Sequence, residues 1–374
     1  MKAHSDAVVE RCNLPELPDD IVDKILVRLP VKSLLQFKSV CKSWKTLISN
    51  PQFAMDNFRQ LSSANHHLTS RLVYFNQNYY HSRFGFLPLQ PLFKNPPTTA
   101  RVVSFEMGYY ISSLVIKGSC NGLVCLHHIH SSCFCLWNPC TGLGSHWLQI
   151  DPSSPLTYFG FGYDHVHDKY KFVTVHGPQA LTRITTFGAH SWNFGPNFPY
   201  PAIGLSGKIG KFMSGTGTLN WMGKVGEKNW VILSFDLANE TFRQVSLPPL
   251  DSSDNSCDPE LQILRNCLSF SIDHRDIIFD VWMMKDYGVW TMISRVNLWR
   301  HIYRYPLTPL SISEHDALLL MIPDGRLVLC KSDVSFPSID SSSAALPFET
   351  YSNVFLRSLR TYFVHRDSLV VPPQ

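Results

Sequence analysis

The chain has 374 residues, 44% of them hydrophobic, which exceeds one typical domain and allows a sizeable core. Its formal charge of +4 is spread over 33 basic and 29 acidic residues, with no Lys/Arg run to follow a phosphate backbone or an anionic bilayer, so neither nucleic acid nor membrane partners are expected. Residues 1–13 are polar, expected to be disordered, and lack a leader's apolar core; this predicts a cytoplasmic or nuclear protein whose ten cysteines are reduced thiols.

From Leu14 the apolar residues recur at helical spacing. Ile21, Ile25 and Leu29 repeat every four residues with Val22 and Leu26 beside them, which gives one broad apolar face. Asp19 and Asp20 follow Pro18, where carboxylates complement the helix dipole, and Pro30 stops the helix. Ser33 is placed to cap a second short helix carrying Leu34, Leu35, Phe37 and Val40, and a third runs through Trp44, Leu47 and Ile48. Asn50-Pro51 starts a fourth, with Asn as cap and Pro at the first helical position. So small a unit carries more apolar side chains than its own interior can hide, so some must cover another surface.

The series Leu17-Pro18, Ile25-Leu26, Arg28-Leu29-Pro30, Ser33-Leu34, Val40-Cys41-Lys42-Ser43-Trp44 and Leu47-Ile48 resembles the F-box motif without a gap. The resemblance implies a helical module, residues 14–60, that docks on the Skp-type adaptor of a cullin-based ubiquitin ligase. By position in the motif, Leu17, Pro18, Ile21, Ile25, Leu29, Pro30, Leu34 and Leu35 would meet the adaptor. Val40, Cys41, Trp44, Leu47 and Ile48 would hold the helices together.

After about Gln60 the pattern changes to short apolar and aromatic runs between Gly, Pro, Asn, Asp and Ser clusters. Arg71 to Phe75, Val102 to Phe105, Leu123 to Leu126, Phe134 to Trp137, Val231 to Phe235, Ile277 to Met283 and Leu327 to Leu329 read as strands of an antiparallel fold. A faint repeat aligns the glycines of Asn121-Gly122-Leu123-Val124, Gly217-Thr218-Leu219-Asn220-Trp221 and Asp324-Gly325-Arg326-Leu327-Val328, 95 and 108 residues apart. A second pair, Trp137-Asn138-Pro139 and Phe235-Asp236-Leu237, is offset by 98. Each interval is two units of about fifty residues, the size of a four-stranded propeller blade. The expected fold class is therefore mainly β with a small all-α N-terminal module: residues 61–374 form a β-propeller-like domain, preferred over a β-sandwich, with six blades and five or seven as alternatives, closed by pairing of the segment around Tyr362 to Val371 with Arg71 to Phe75.

Lys117-Gly118-Ser119-Cys120-Asn121-Gly122-Leu123, Leu136-Trp137-Asn138-Pro139, Phe161-Gly162-Tyr163-Asp164 and Ser234-Phe235-Asp236-Leu237 are similar to blocks of the plant F-box-associated interaction domain, found among F-box/kelch-repeat-like and S-locus F-box proteins. After Tyr287-Gly288 that family inserts a polar segment, whereas here Val289-Trp290-Thr291-Met292 follows directly. The resemblance implies a substrate-recognition subunit that catalyses nothing itself, with an unidentified protein target.

Cys120, Cys125, His127, His128, His130, Cys133, Cys135 and Cys140 supply many potential ligands, but none are paired at the Cys-x-x-Cys spacing of a zinc knuckle, and no metal or other cofactor is expected. Nucleophile elbows, His-Glu-x-x-His, Walker loops and dinucleotide glycine motifs are absent, so no catalytic residue is expected. Asp164 and Asp168 could form a carboxylate pair, but their strand-turn-strand setting favours turn hydrogen bonds.

Overall fold

A computed structural model describes residues 17–64, 70–77, 82–94, 103–107, 114–128, 130–150, 156–177, 179–189, 191–200, 208–225, 229–250, 259–274, 278–297, 307–321, 327–330, 349–350 and 359–374. The expected disordered segment 1–13 and the turn containing Gly325 lie outside these residues.

Four helices come first: α1 (Asp19–Leu26), α2 (Val31–Phe37), α3 (Lys42–Ile48) and α4 (Pro51–Ala64). Asp19 and Asp20 occupy the first turn of α1, as the dipole argument requires. The α2 start differs from expectation: Pro30 is the N-cap, and Ser33 lies inside the helix. The fixed φ of Pro30 already orients the chain for a helix, so no side-chain cap is needed there. Helix α3 is capped by Cys41, whose sulfur accepts from the Trp44 amide at 3.5 Å. Helix α4 starts as expected, with Asn50 Oδ1 accepting from the Gln52 amide at 2.7 Å.

The remaining strands form six sheets. Blade 1 contains Ser70–Gln77, Ser82–Pro88 and Val103–Met107, and its first strand is supplied by Leu359–Arg366 from the far end of the chain. That strand pairs antiparallel with Ser70–Gln77, Arg71 opposite His365 and Tyr74 opposite Tyr362. The expected closure is therefore present, and it hides edges that an open sheet would expose. Blade 2 begins at Leu114–Cys120, blade 3 at Leu156–Asp164, blade 4 at Lys211–Met213, blade 5 at Glu260–Leu264 and blade 6 at Thr308–Ile312. These first strands neighbour one another in sequence and return to Leu359–Arg366, closing a six-membered ring. Blade 3 carries an additional strand, Lys208–Ile209, parallel to Leu156–Asp164.

The ring is held by apolar clusters between neighbouring blades. Val73 and Phe86 meet Ile116 and Val124 between blades 1 and 2; Val173 and Tyr158 meet Leu219 and Trp221 between blades 3 and 4. Ile232 meets Phe270, Phe279 meets Leu318, and Leu319 meets Leu72 at the next three seams. Both sheet faces are covered, which is why Asn229–Asp236 buries six consecutive residues instead of alternating. Each such large side chain contributes roughly 1.5–3 kcal/mol relative to exposure.

The seam between blades 2 and 3 is different. Leu123, Phe134, Phe159 and Phe172 share one continuous cluster with Leu26, Val31, Leu34, Ile48 and Phe53 of the helices and with Leu369 and Val370 of the tail. The helical module is thus packed onto the propeller rather than tethered to it.

The second repeat pair is structural: Asn138 and Asp236 open equivalent turns between third and fourth strands of blades 2 and 4, each accepting amide hydrogens two and three residues on. Gly122 and Gly217 likewise occupy equivalent first turns, with φ of 75° and 66°. Leu327–Cys330, however, is the third strand of its blade rather than the second, so the third glycine motif is out of step. Any tight hairpin asks for a positive φ, and the local signal does not say which hairpin it serves.

Candidate functional site: an apolar strip on the helical module

Helix α1 leaves an apolar strip open. Leu17 is 60% exposed, Ile25 47% and Ile21 37%, and Pro18 and Pro30 are also exposed. Ile21 and Ile25 are four apart and therefore stack on one helix face, one turn apart. The polar side of the same helix carries the exposed Asp20–Lys24 pair at 3.5 Å, worth little energetically.

Of the other residues expected on this surface, Leu29 and Leu35 are half-buried against the inner cluster, and Leu34 is fully buried within it. Of those expected inside, Ile48 is buried, and Trp44 and Leu47 are half-buried, with Trp44 tilted 5.5 Å from Phe37. Val40 is 61% exposed and Cys41 is exposed as well. Leu34, expected on the adaptor surface, is thus buried in the cluster it shares with Phe53 and Ala54 of α4 and with propeller residues, while Val40, expected inside, stands exposed ahead of α3.

What sequence reasoning missed is the residue that sets this strip in position. Asn57, fully buried on α4, donates to the carbonyls of Val27 at 2.7 Å and Leu29 at 3.0 Å. These carbonyls lie just past the end of α1, where no intrahelical donor exists. A buried side-chain amide so placed locks the α1–α2 corner, and its only sequence signal is a polar residue on the apolar side of α4.

The propeller side offers no reacting constellation among the described residues. Asp164 Oδ1 accepts from the Val166 and His167 amides at 3.0 and 3.1 Å, and its other oxygen meets Lys171 Nζ at 3.0 Å. Lys171 also contacts Glu240 at 2.7 Å, a cross-blade network. Although burial opposes its ionisation, hydrogen bonds from His167 and Lys171 hold the Asp164 carboxyl below the usual range. Asp168 accepts from the Tyr163 hydroxyl. The two acids serve turns and blade contacts rather than facing each other.

The Cys/His run is dispersed. Cys120, Cys125, Cys133 and Cys135 are buried, His127 stacks on Phe134 at 4.2 Å, and burial holds the Cys135 thiol up to about 12. Only Cys140 joins a potential ligand trio among the described residues, with His365 and Asp367, all ligand atoms lying within 4.8 Å. Arg71 already grips Asp367 at 2.6 Å, and a metal would have to displace that guanidinium. Burial pushes the Cys140 thiol up to about 12 and the His365 ring down to about 3, so both are neutral at pH 7 and form no thiolate–imidazolium pair.

Residues 14–55 match the F-box domain model, and residues 100–335 match the F-box associated beta propeller domain. The chain belongs to the F-box-associated propeller family. An F-box/kelch-repeat protein of Arabidopsis thaliana is 29% identical over 328 residues, 83% of this chain and 86% of that one. An F-box/LRR-repeat/kelch-repeat protein of the same plant is 29% identical over 275 residues, 66% of this chain and 68% of its own length. Among solved structures, one in a nidogen/laminin complex has a TM-score of 0.43 at 10% identity, over 80% of this chain and 99% of that chain, and nothing functional follows from it. The apolar strip on α1 is therefore part of an F-box, which implies a Skp-type adaptor as its partner. The whole is an F-box protein whose second domain is a six-bladed propeller.

Proposed function

We propose that this F-box protein is the target-recognition subunit of an SCF-type ubiquitin ligase. The strip Leu17, Ile21 and Ile25 holds the Skp-type adaptor and through it a cullin, while the propeller holds a protein target whose lysines are thereby brought to a conjugating enzyme. The observation that carries the reading is the strip itself: Leu17, Ile21 and Ile25 stand open at and just before α1, while Leu26, Val31, Leu34, Ile48 and Phe53 of the same module are packed inward. Helix-in-groove docking uses anchors at this spacing. The chain's own contribution to ubiquitination is proximity, which turns a bimolecular encounter into a local one. A cytoplasmic or nuclear location is part of the same proposal.

Because the F-box and propeller share one apolar cluster, deleting residues 14–60 would uncover that cluster and confound any assay. The test uses Ile21→Asp with Ile25→Asp instead. The double variant should keep its melting temperature, lose capture of a Skp-type adaptor, and fail to support ubiquitin transfer to a target that the propeller still binds. Undiminished adaptor capture by the folded variant would refute the assignment of the strip, and adaptor capture without any ubiquitin transfer in a reconstituted ligase would refute the ligase role.

A further inference from the structure

A cavity of about 800 Å³ occupies the propeller axis, bounded by the first strands of all six blades and by α4. Its charge is one-sided. Arg59 from α4, Lys117 from blade 2, Lys211 from blade 4, Arg265 from blade 5 and Arg366 from blade 1 all line it, and among the described lining residues there is no Asp or Glu. Five cations from five elements thus converge in a chain whose overall charge is nearly balanced.

Part of this has a structural account. Arg59 pairs with Asp56 at 3.4 Å, and Arg265 pairs with Asp316 at 3.1 Å. Arg366 donates to the neutral Asn266 Oδ1 at 3.1 Å. Lys117 and Lys211 are different: neither has an ion pair within 4 Å among the described residues. Lys117 lies 5.4 Å from the Phe159 ring centroid, and Lys211 feels the attraction of Glu260 without bonding it. Desolvation lowers both half-buried lysines, the direction expected of cations drawn out of water without a carboxylate at hand. A fold that needed only packing here would be better served by apolar side chains. Positive charge held in a low-dielectric recess focuses an anion.

The volume suits a ligand of small-molecule size, and α4 contributes Met55, Phe58, Arg59 and Ser62 to its wall. Ser119, Gln262, Thr308 and Ser311 add hydrogen-bonding groups to the same walls. We infer that the central cavity binds a compact polyanion bearing several phosphate groups, with Lys117 and Lys211 as its charge partners.

The experiment is calorimetric titration of the full chain, in complex with its adaptor, with inorganic tripolyphosphate at low salt. Saturable one-to-one binding that weakens as salt rises is expected. Lys117→Gln with Lys211→Gln should weaken it by at least about tenfold, each single change giving part of the loss, while Lys169→Gln with Lys285→Gln, equal in charge but on exposed strand residues, should leave it unchanged. Without ligand, the cavity variants should melt no lower than the parent, because two half-buried charges of like sign have been removed. No binding at millimolar tripolyphosphate would overturn the inference, as would equal loss in the surface variant. A monophosphorylated peptide that displaces tripolyphosphate and binds more tightly would overturn it in favour of a segment of the target.

Discussion

Ring closure should hang on Asn138. Its side chain is fully buried in the turn after Cys133–Trp137, and Nδ2 donates to the tail carbonyls of Ser368 at 2.9 Å and Val370 at 2.7 Å. Its Oδ1 accepts the Cys140 amide at 2.8 Å. Asn138→Ala removes these bonds and strands two carbonyls, each costing about 1–3 kcal/mol when left unpaired. Adding the loss of the turn bond gives roughly 3–7 kcal/mol, of which some returns if the tail lifts into water. At about 2 °C per kcal/mol for a domain of this size, the melting temperature should fall by about 6–14 °C. Asn138→Asp keeps the turn acceptor but faces a carboxylate with two carbonyl oxygens, so it should fall at least as far. Hydrogen exchange at Leu369 and Val370 should accelerate in both variants before the blade 4 amides respond. An Asn138→Asp protein that melts within about 2 °C of the parent, with a protected tail, would refute this account.

Leu34→Asp should unfold the F-box module, with a loss of several kcal/mol from an unpaired buried carboxylate, whereas Ile25→Asp should abolish only adaptor capture; circular dichroism beside a pull-down separates the two. His127 and His365 are held down, mainly by burial, to about 4 and about 3, below the 6.5 of an unfolded histidine. The unfolded chain therefore binds more protons than the native one between those values, and stability should fall as pH drops from 6.5 towards 4, by up to about 1.4 kcal/mol per pH unit for the buried His365 ring and by less for the part-exposed His127, whose charge solvent screens; denaturant titrations at pH 7, 6 and 5 measure it, and a flat profile would contradict a buried neutral His365. Cys41 is exposed, and its thiol is lowered by a hydrogen bond from Ser43 and by the Trp44 amide, so among the eight described cysteines it should be alkylated first by iodoacetamide, with Cys120 and Cys125 last.

Much of the fold could be read from local patterns, since each depends on neighbours in the chain. The helical spacing of Ile21 and Ile25, the Asn50-Pro51 start, the fifty-residue rhythm and the paired turns at Asn138 and Asp236 are consequences of backbone geometry and short-range hydrogen bonding. Six blades followed from that rhythm, and the F-box from an ungapped motif. Other features depended on residues far apart in sequence. Leu34 and Val40 look alike in a one-dimensional pattern, and only the tertiary cluster that joins the helices to blades 2 and 3 decides which is buried. Asn57 became a corner lock because α4 folds back on the end of α1, and Asn138 became a clasp because the tail crosses its turn 230 residues later. The cationic cavity was invisible for the same reason: its five charges are scattered between Arg59 and Arg366, each unremarkable in its own strand or helix, and they acquire a common field only when ring closure brings the first strands around one axis.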